Sequence, residues 1–218
     1  MSAPKIFLDR PWLIFDLGMQ MRVLSWAINK PGFVNAHRIV WREVCNADLP
    51  IGVDVYKWLS DTLREKGEIE SVAFLTSRNI QRFKTAITCV DSITTVAVAT
   101  VGLSNAERVG FRCKGKQTSY GTINIAAQLD KPLSEFALIE ALSIAVQART
   151  TAILDSDIST ICGRATGTGT DCVAIAAPIG NTDYAGLHTD IGESLGHAVY
   201  EAVYTGAEEW KIENNKVI

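Results

Sequence analysis

Residues 6–44 read IFLDRPWLIFDLGMQMRVLSWAINKPGFVNAHRIVWREV. Three short apolar runs, 6–8, 12–15 and 21–27, are broken by Asp-Arg-Pro and Asp-Leu-Gly, and the stretch 33–44 alternates. Apolar runs bounded by turn residues are the signature of strands, and no helical period intervenes between them. A doubly wound fold needs a helix after nearly every strand, so this opening favours a mixed sheet.

Further along, Val55, Trp58, Leu59 and Leu63 recur near a 3.6-residue period, which predicts a helix over 53–66 ended by Gly67. Strands are expected at 71–75, 121–127 and 172–177, and as two consecutive β-branched runs at 85–90 and 94–101. Two long helices are expected, over 133–154 after Asp-Lys-Pro and over 187–209. Gly192 and Gly196, one turn apart on the second, are expected to allow close packing against the sheet. Residues 211–218, KIENNKVI, read as a frayed tail. The expected fold is an α/β (or α+β) single domain over 1–218, a mixed β-sheet packed against two long helices.

Composition agrees with a folded domain. The chain has 218 residues, 47% hydrophobic and 21% charged, with a net charge of −3. A chain of that length buries a sizeable core without a staple. The acidic balance argues against nucleic acid or an anionic membrane as partner, and no run of 18 apolar residues is present to span a bilayer. Cys45, Cys89, Cys113, Cys162 and Cys172 are odd in number and lack Cys-x-x-Cys spacing, so neither a disulfide framework nor a zinc knuckle is indicated. A cytoplasmic, reducing setting is the expectation.

The most unusual segment is Ala165-Thr166-Gly167-Thr168-Gly169-Thr170-Asp171. Its glycines permit close backbone approach, its threonines donate and accept, and its carboxylate can accept or act as a base. No Lys follows the second glycine and an apolar strand comes next, so it is neither a P-loop nor a dinucleotide fingerprint. A tight loop feeding the next strand is the bland reading. His188 is expected at the start of the last helix, where the helix N-terminus favours neutral imidazole, a base or merely a cap. His197 falls in a polar stripe and His37 in a strand. Glu140, Ser143, Gln147 and Thr150 share one helix face, either solvated or with Gln147 and Thr150 lining a cleft. Asn35, Asn105 and Asn124 lie near strand ends, where an amide side chain offers a donor and an acceptor.

Taken in order, Gly-Leu-x-Asn-Ala at 102–106, Gly-Thr-Ile-Asn at 121–124, Ala-Thr-Gly-Thr-Gly-Thr-Asp at 165–171 and Gly-x-His-Thr-x-x-Gly-Glu at 186–193 resemble the adenosylcobinamide amidohydrolase (CbiZ-type) family over residues 21–205. The resemblance implies hydrolysis of the aminopropanol amide of adenosylcobinamide to adenosylcobyric acid, in corrinoid salvage and remodelling. It carries over Asn105, Thr122, Asn124, Thr166, Thr168, Thr170, Asp171 and His188, with Ser25 and Asn35 matching more loosely. Where the family usually has Thr-Glu-Ala-Lys, this chain has Val146-Gln147-Ala148-Arg149, and it has Pro31-Gly32 where the family tends to have Gly-Gly.

In this reading Asp171 or His188 activates water or the Thr170 hydroxyl. The amides of Gly167 and Gly169, with Asn124, hold the oxyanion, and His188 returns the proton to the amine. The corrinoid is a small-molecule substrate rather than a held cofactor; the metal requirement is left open, and a homo-oligomer is compatible with the sequence. Two alternatives stand beside it: hydrolysis of a different amide on the same fold, and corrinoid binding without catalysis, motivated by Gln147. A flat corrin needs a wide cleft with apolar walls. Trp26, Trp41 and Trp58 are candidates for such walls, with buried core as the favoured role of each.

Overall fold

The structure, a computed structural model, describes residues 3–111 and 120–214; Cys113 and residues 215–218 lie outside them. Twelve strands and three helices follow one another among the described residues. They are β1 (Lys5–Asp9), β2 (Trp12–Ser25), β3 (Gly32–Glu43), α1 (Val55–Lys66), β4 (Val72–Thr76), β5 (Lys84–Val90), β6 (Ile93–Val101) and β7 (Ala106–Glu107). Next come β8 (Ile123–Leu129), α2 (Glu135–Asp155), β9 (Ser159–Thr160), β10 (Gly163–Arg164), β11 (Gly167–Thr168), β12 (Cys172–Ala177) and α3 (Asp190–Asn214). The main sheet runs β4-β3-β2-β12-β8-β6-β5, with β1 also paired to β2. It is mixed, as expected: β3 and β4 are parallel, β12 and β8 are parallel, and the other neighbours are antiparallel. Each parallel pair is joined by a helix, α1 or α2, as parallel neighbours require.

Two separate runs were expected where β2 is a single 14-residue strand. The Asp-Leu-Gly break is a local irregularity: the register with β3 shifts between Asp16 and Met21, and Gly18 donates its amide to the Asp16 carboxylate. The irregularity leaves the pleat in phase. Leu13, Phe15, Leu17, Met21 and Val23 all face one side.

That side is concave. Leu13, Phe15, Trp41 and Phe74 share a core with Val98, Ala126 and Ala174 from the far half of the sheet. The Asn124 side-chain amide donates to the Leu75 carbonyl at 2.8 Å, although β4 and β8 lie four strand positions apart. In a flat sheet that separation would be about 19 Å, so the sheet is curled on itself. On its convex side α1 covers Trp12, Ile14, Val40 and Ala73, while α2 and α3 cover Ala97, Ile125, Ile175 and their neighbours.

Helix ends follow local chemistry. Asp54 caps α1 by accepting from the Lys57 amide, and Gly67 ends it with φ of 77°. Helix α2 is capped by Ser134. By length and composition it is apolar enough to cross a membrane, but Ala137, Leu138, Ala141, Ala145 and Ile153 are buried in the core, and it packs on α3 and β12. Helix α3 starts three residues later than expected and continues to Asn214. Gly192 packs beneath the Gly186 carbonyl of the preceding loop and Gly196 beneath Ile144 of α2, so neither meets the sheet; Gly206 does, against Val101.

Gly67→Ala forces a side chain into a left-handed conformation, and about 1–2 kcal/mol of stability should be lost. For a domain of this size that is a fall of roughly 2–8 °C in Tm, readable by thermal unfolding.

Candidate functional site

At the open end of the curled sheet lies a cleft of about 720 Å³. The N-terminal ends of β8 and β12 form its floor through Thr122, Asn124, Asp171 and Cys172. Its walls come from Trp26, from Val44 to Leu49, from Tyr56 and from the end of β4.

Asp171 is the organising group. Its carboxylate accepts from the Ile123 amide at 3.1 Å, from the Thr168 amide at 2.9 Å, from the Thr168 hydroxyl and from the Arg149 guanidinium. An ionised carboxylate has about four acceptor sites, and all are used. Burial pushes its pKa above the usual carboxylate value, opposed by Arg149 and by the Thr168 and Ile123 donors. The Asp171 backbone carbonyl accepts from the Trp26 indole N–H at 2.8 Å. Asp171 therefore positions the floor of the cleft: four donors from three elements hold it, and they leave no acceptor site for a substrate proton.

The threonines serve the same frame. Thr170 donates its hydroxyl to the Gly121 carbonyl at 3.0 Å, and the Thr122 hydroxyl lies 2.9 Å from the Thr170 carbonyl. Thr166 accepts from the Val109 amide at 2.8 Å, tying β11 to the segment after β7. Gly167 sits directly behind the buried pair, where a Cβ would collide with both Arg149 and Asp171.

One polar atom on the cleft has no partner among the described residues. Asn105 Oδ1 is buried, its residue 8% exposed, and accepts no hydrogen bond. It lies against Gly121, where a Cβ would come within 2.6 Å of it. An unpaired buried acceptor costs about 1–3 kcal/mol, and a ligand N–H removes that cost.

Asn105, Thr122, Asn124, Thr170 and Asp171 thus meet on one cleft, with Thr166, Gly167 and Thr168 behind it. The other expected residues lie elsewhere. Gly169 is exposed. Asn35 is exposed on β3 and accepts from Arg22 at 3.3 Å. Gln147 is exposed on α2, and Thr150 bonds its own helix through the Val146 carbonyl. Arg149, two residues beyond Gln147, is the α2 side chain that enters the site. His188 is exposed in the turn before α3. That turn is anchored on Glu140, whose carboxylate accepts from the Ala185 amide at 2.7 Å. Glu140 and Arg149 are nine residues apart, about 14 Å along α2, so His188 stands at the other end of the helix from Asp171. The expected oxyanion set is divided as well: Gly167 lies behind the Arg149–Asp171 pair, Gly169 is exposed, and one N–H of the Asn124 amide is bonded to Leu75.

Burial raises the Cys172 thiol to about 12, which leaves it protonated at neutral pH and a poor nucleophile. Among the described residues no three His, Cys, Asp or Glu side chains gather to hold a metal ion. Trp41 is fully buried core and Trp58 packs beside α1's core, but Trp26 is a cleft wall, 45% exposed.

The family model of the adenosylcobinamide amidohydrolases matches residues 2–215. The chain belongs to this family. A Methanosarcina mazei protein named adenosylcobinamide amidohydrolase is 29% identical over 164 residues, covering 70% of this chain and 74% of its own. An uncharacterized protein of Methanocaldococcus jannaschii is 33% identical over 87 residues, 38% of this chain and 34% of its own. Among solved structures, the PH0078 protein from Pyrococcus horikoshii OT3 superposes over 89% of this chain and 76% of its own, with 10% identity and a TM-score of 0.46.

The Arg149–Asp171 pair gives a direct test. Asp171→Asn or Arg149→Met alone leaves its partner buried and unmatched, and each should cost about 3–5 kcal/mol. The double variant should cost less than the sum by about 0.5–3 kcal/mol, measured by urea unfolding.

Proposed function

We propose that the cleft hydrolyses the amide linking aminopropanol to the corrin side arm of adenosylcobinamide. Water adds across the C–N bond: a C–O bond forms, the C–N bond breaks, and the amine leaves with a proton. The products are adenosylcobyric acid and aminopropanol, and the free acid is the form from which a corrinoid can be rebuilt in salvage. Family membership supports amidohydrolase chemistry. The observation that carries the assignment to this cleft is Asn105 Oδ1, buried and without a partner among the described residues, which suits the N–H of a secondary amide.

Water is the nucleophile in this proposal. The Thr170 hydroxyl donates to the Gly121 carbonyl, and the Asp171 carboxylate beside it is fully engaged. Asp171 and Arg149 act as positioning residues. The thiols of Cys45, Cys89 and Cys172, free among the described residues, agree with a cytoplasmic site of action.

A second reading rests on the same carboxylate. With Asp171 saturated by donors and His188 at the far end of α2, the cleft also suits a corrinoid binder without turnover.

Incubation with adenosylcobinamide, with and without a chelator, followed by mass spectrometry, separates the two. Release of aminopropanol with a free acid supports hydrolysis; a shift in corrinoid absorbance without product supports the binder. Asn105→Ala should lower kcat/KM by about 10–100-fold, and His188→Ala should leave it unchanged. Loss of turnover in His188→Ala would refute the placement of the reaction in this cleft.

A further inference from the structure

An exposed tryptophan side chain usually has rotameric freedom, but Trp26 is fixed from both ends. Its indole N–H donates to the Asp171 carbonyl at 2.8 Å. Its backbone is held by the neighbouring Ser25, whose buried hydroxyl donates to the Val173 carbonyl at 2.8 Å and accepts from the Ala27 amide at 3.0 Å. The ring is nonetheless 45% exposed and lines the cleft. A rigid, half-bare indole presents a π-face at little conformational cost on binding. Tyr56 and Tyr120, both largely exposed, stand on the same cleft.

We infer that Trp26 is the stacking platform for the flat conjugated ring of the ligand, and so a specificity-determining residue. This rests on the corrinoid reading above and deepens it. The indole N–H bond ties the platform to the strand start that carries Asp171, so a ring stacked on Trp26 is held beside the cleft floor. Ligands lacking a flat conjugated system forgo this contact.

The test titrates adenosylcobinamide by its absorbance into wild type, Trp26→Phe and Trp26→Leu, each checked for native melting. Leucine keeps apolar bulk without a π-face; phenylalanine keeps a π-face without the N–H tether. The expected result is a Kd raised about tenfold in Trp26→Leu, with Trp26→Phe between it and wild type. Equal affinity in wild type and Trp26→Leu, or equal weakening in the two variants, would overturn the platform. So would absence of corrinoid binding to the wild type. Turnover is read in parallel: tight, Trp26-dependent binding without product keeps the platform and removes only the hydrolase reading.

Discussion

A carboxylate and a guanidinium, both withdrawn from water, set the geometry of the site. Removing such ions from solvent costs several kcal/mol each, and the attraction between them repays it only when the remaining polar sites are also filled. Asp171 meets that condition through Thr168, Ile123 and Arg149. The donors come from three neighbourhoods: the start of β8, the end of β11, and the second half of α2. Satisfying one buried charge thus forces those segments to converge. The glycine at 167 follows from the same constraint, because no side chain fits behind the pair.

The curl of the sheet supplies the other half of the cleft. Without it, β4 and the 44–49 segment would lie far from β8. The bond from Asn124 to the Leu75 carbonyl joins the two halves at the floor, and apolar packing of Phe15, Trp41 and Phe74 against Ala126 and Ala174 holds them closed. The alanines matter by being small. They let the concave faces approach where larger residues would prop them apart.

Much of this was legible in the residues. Gly67, the α1 period and the β-branched runs of β5 and β6 are local signals, and local signals survive into the fold. The β2 break misled because Asp16 and Gly18 bond each other inside a continuing strand, which looks like a turn from composition alone. The threonine-glycine run stood out by composition, and the structure places it around the Asp171 carboxylate. Arg149 did not, since one cation on an apolar helix resembles any snorkelling surface residue. Its position opposite the family's lysine was the available signal. His188 was singled out by its place before a helix and by the motif at 186–193; the structure puts it in the exposed turn anchored on Glu140, and a helix-start position does not say where along the sheet that turn falls. Trp26 was misjudged for a similar reason: hydrophobicity marks a residue for burial, and only the tether to Asp171 shows why this one stands half bare.

The pairing of β2 with β12 has a consequence for the order of events during folding. The Ser25 hydroxyl reaches the Val173 carbonyl across 148 residues of chain. Contacts of such long range form slowly, because the loop-closure entropy must be met before they stabilise anything. The cleft is assembled by that junction, with Trp26 contributed from one side and Asp171 from the other. The cleft is therefore complete only once strands far apart in the sequence have paired, and its tryptophan wall and its carboxylate floor fall into place in the same event.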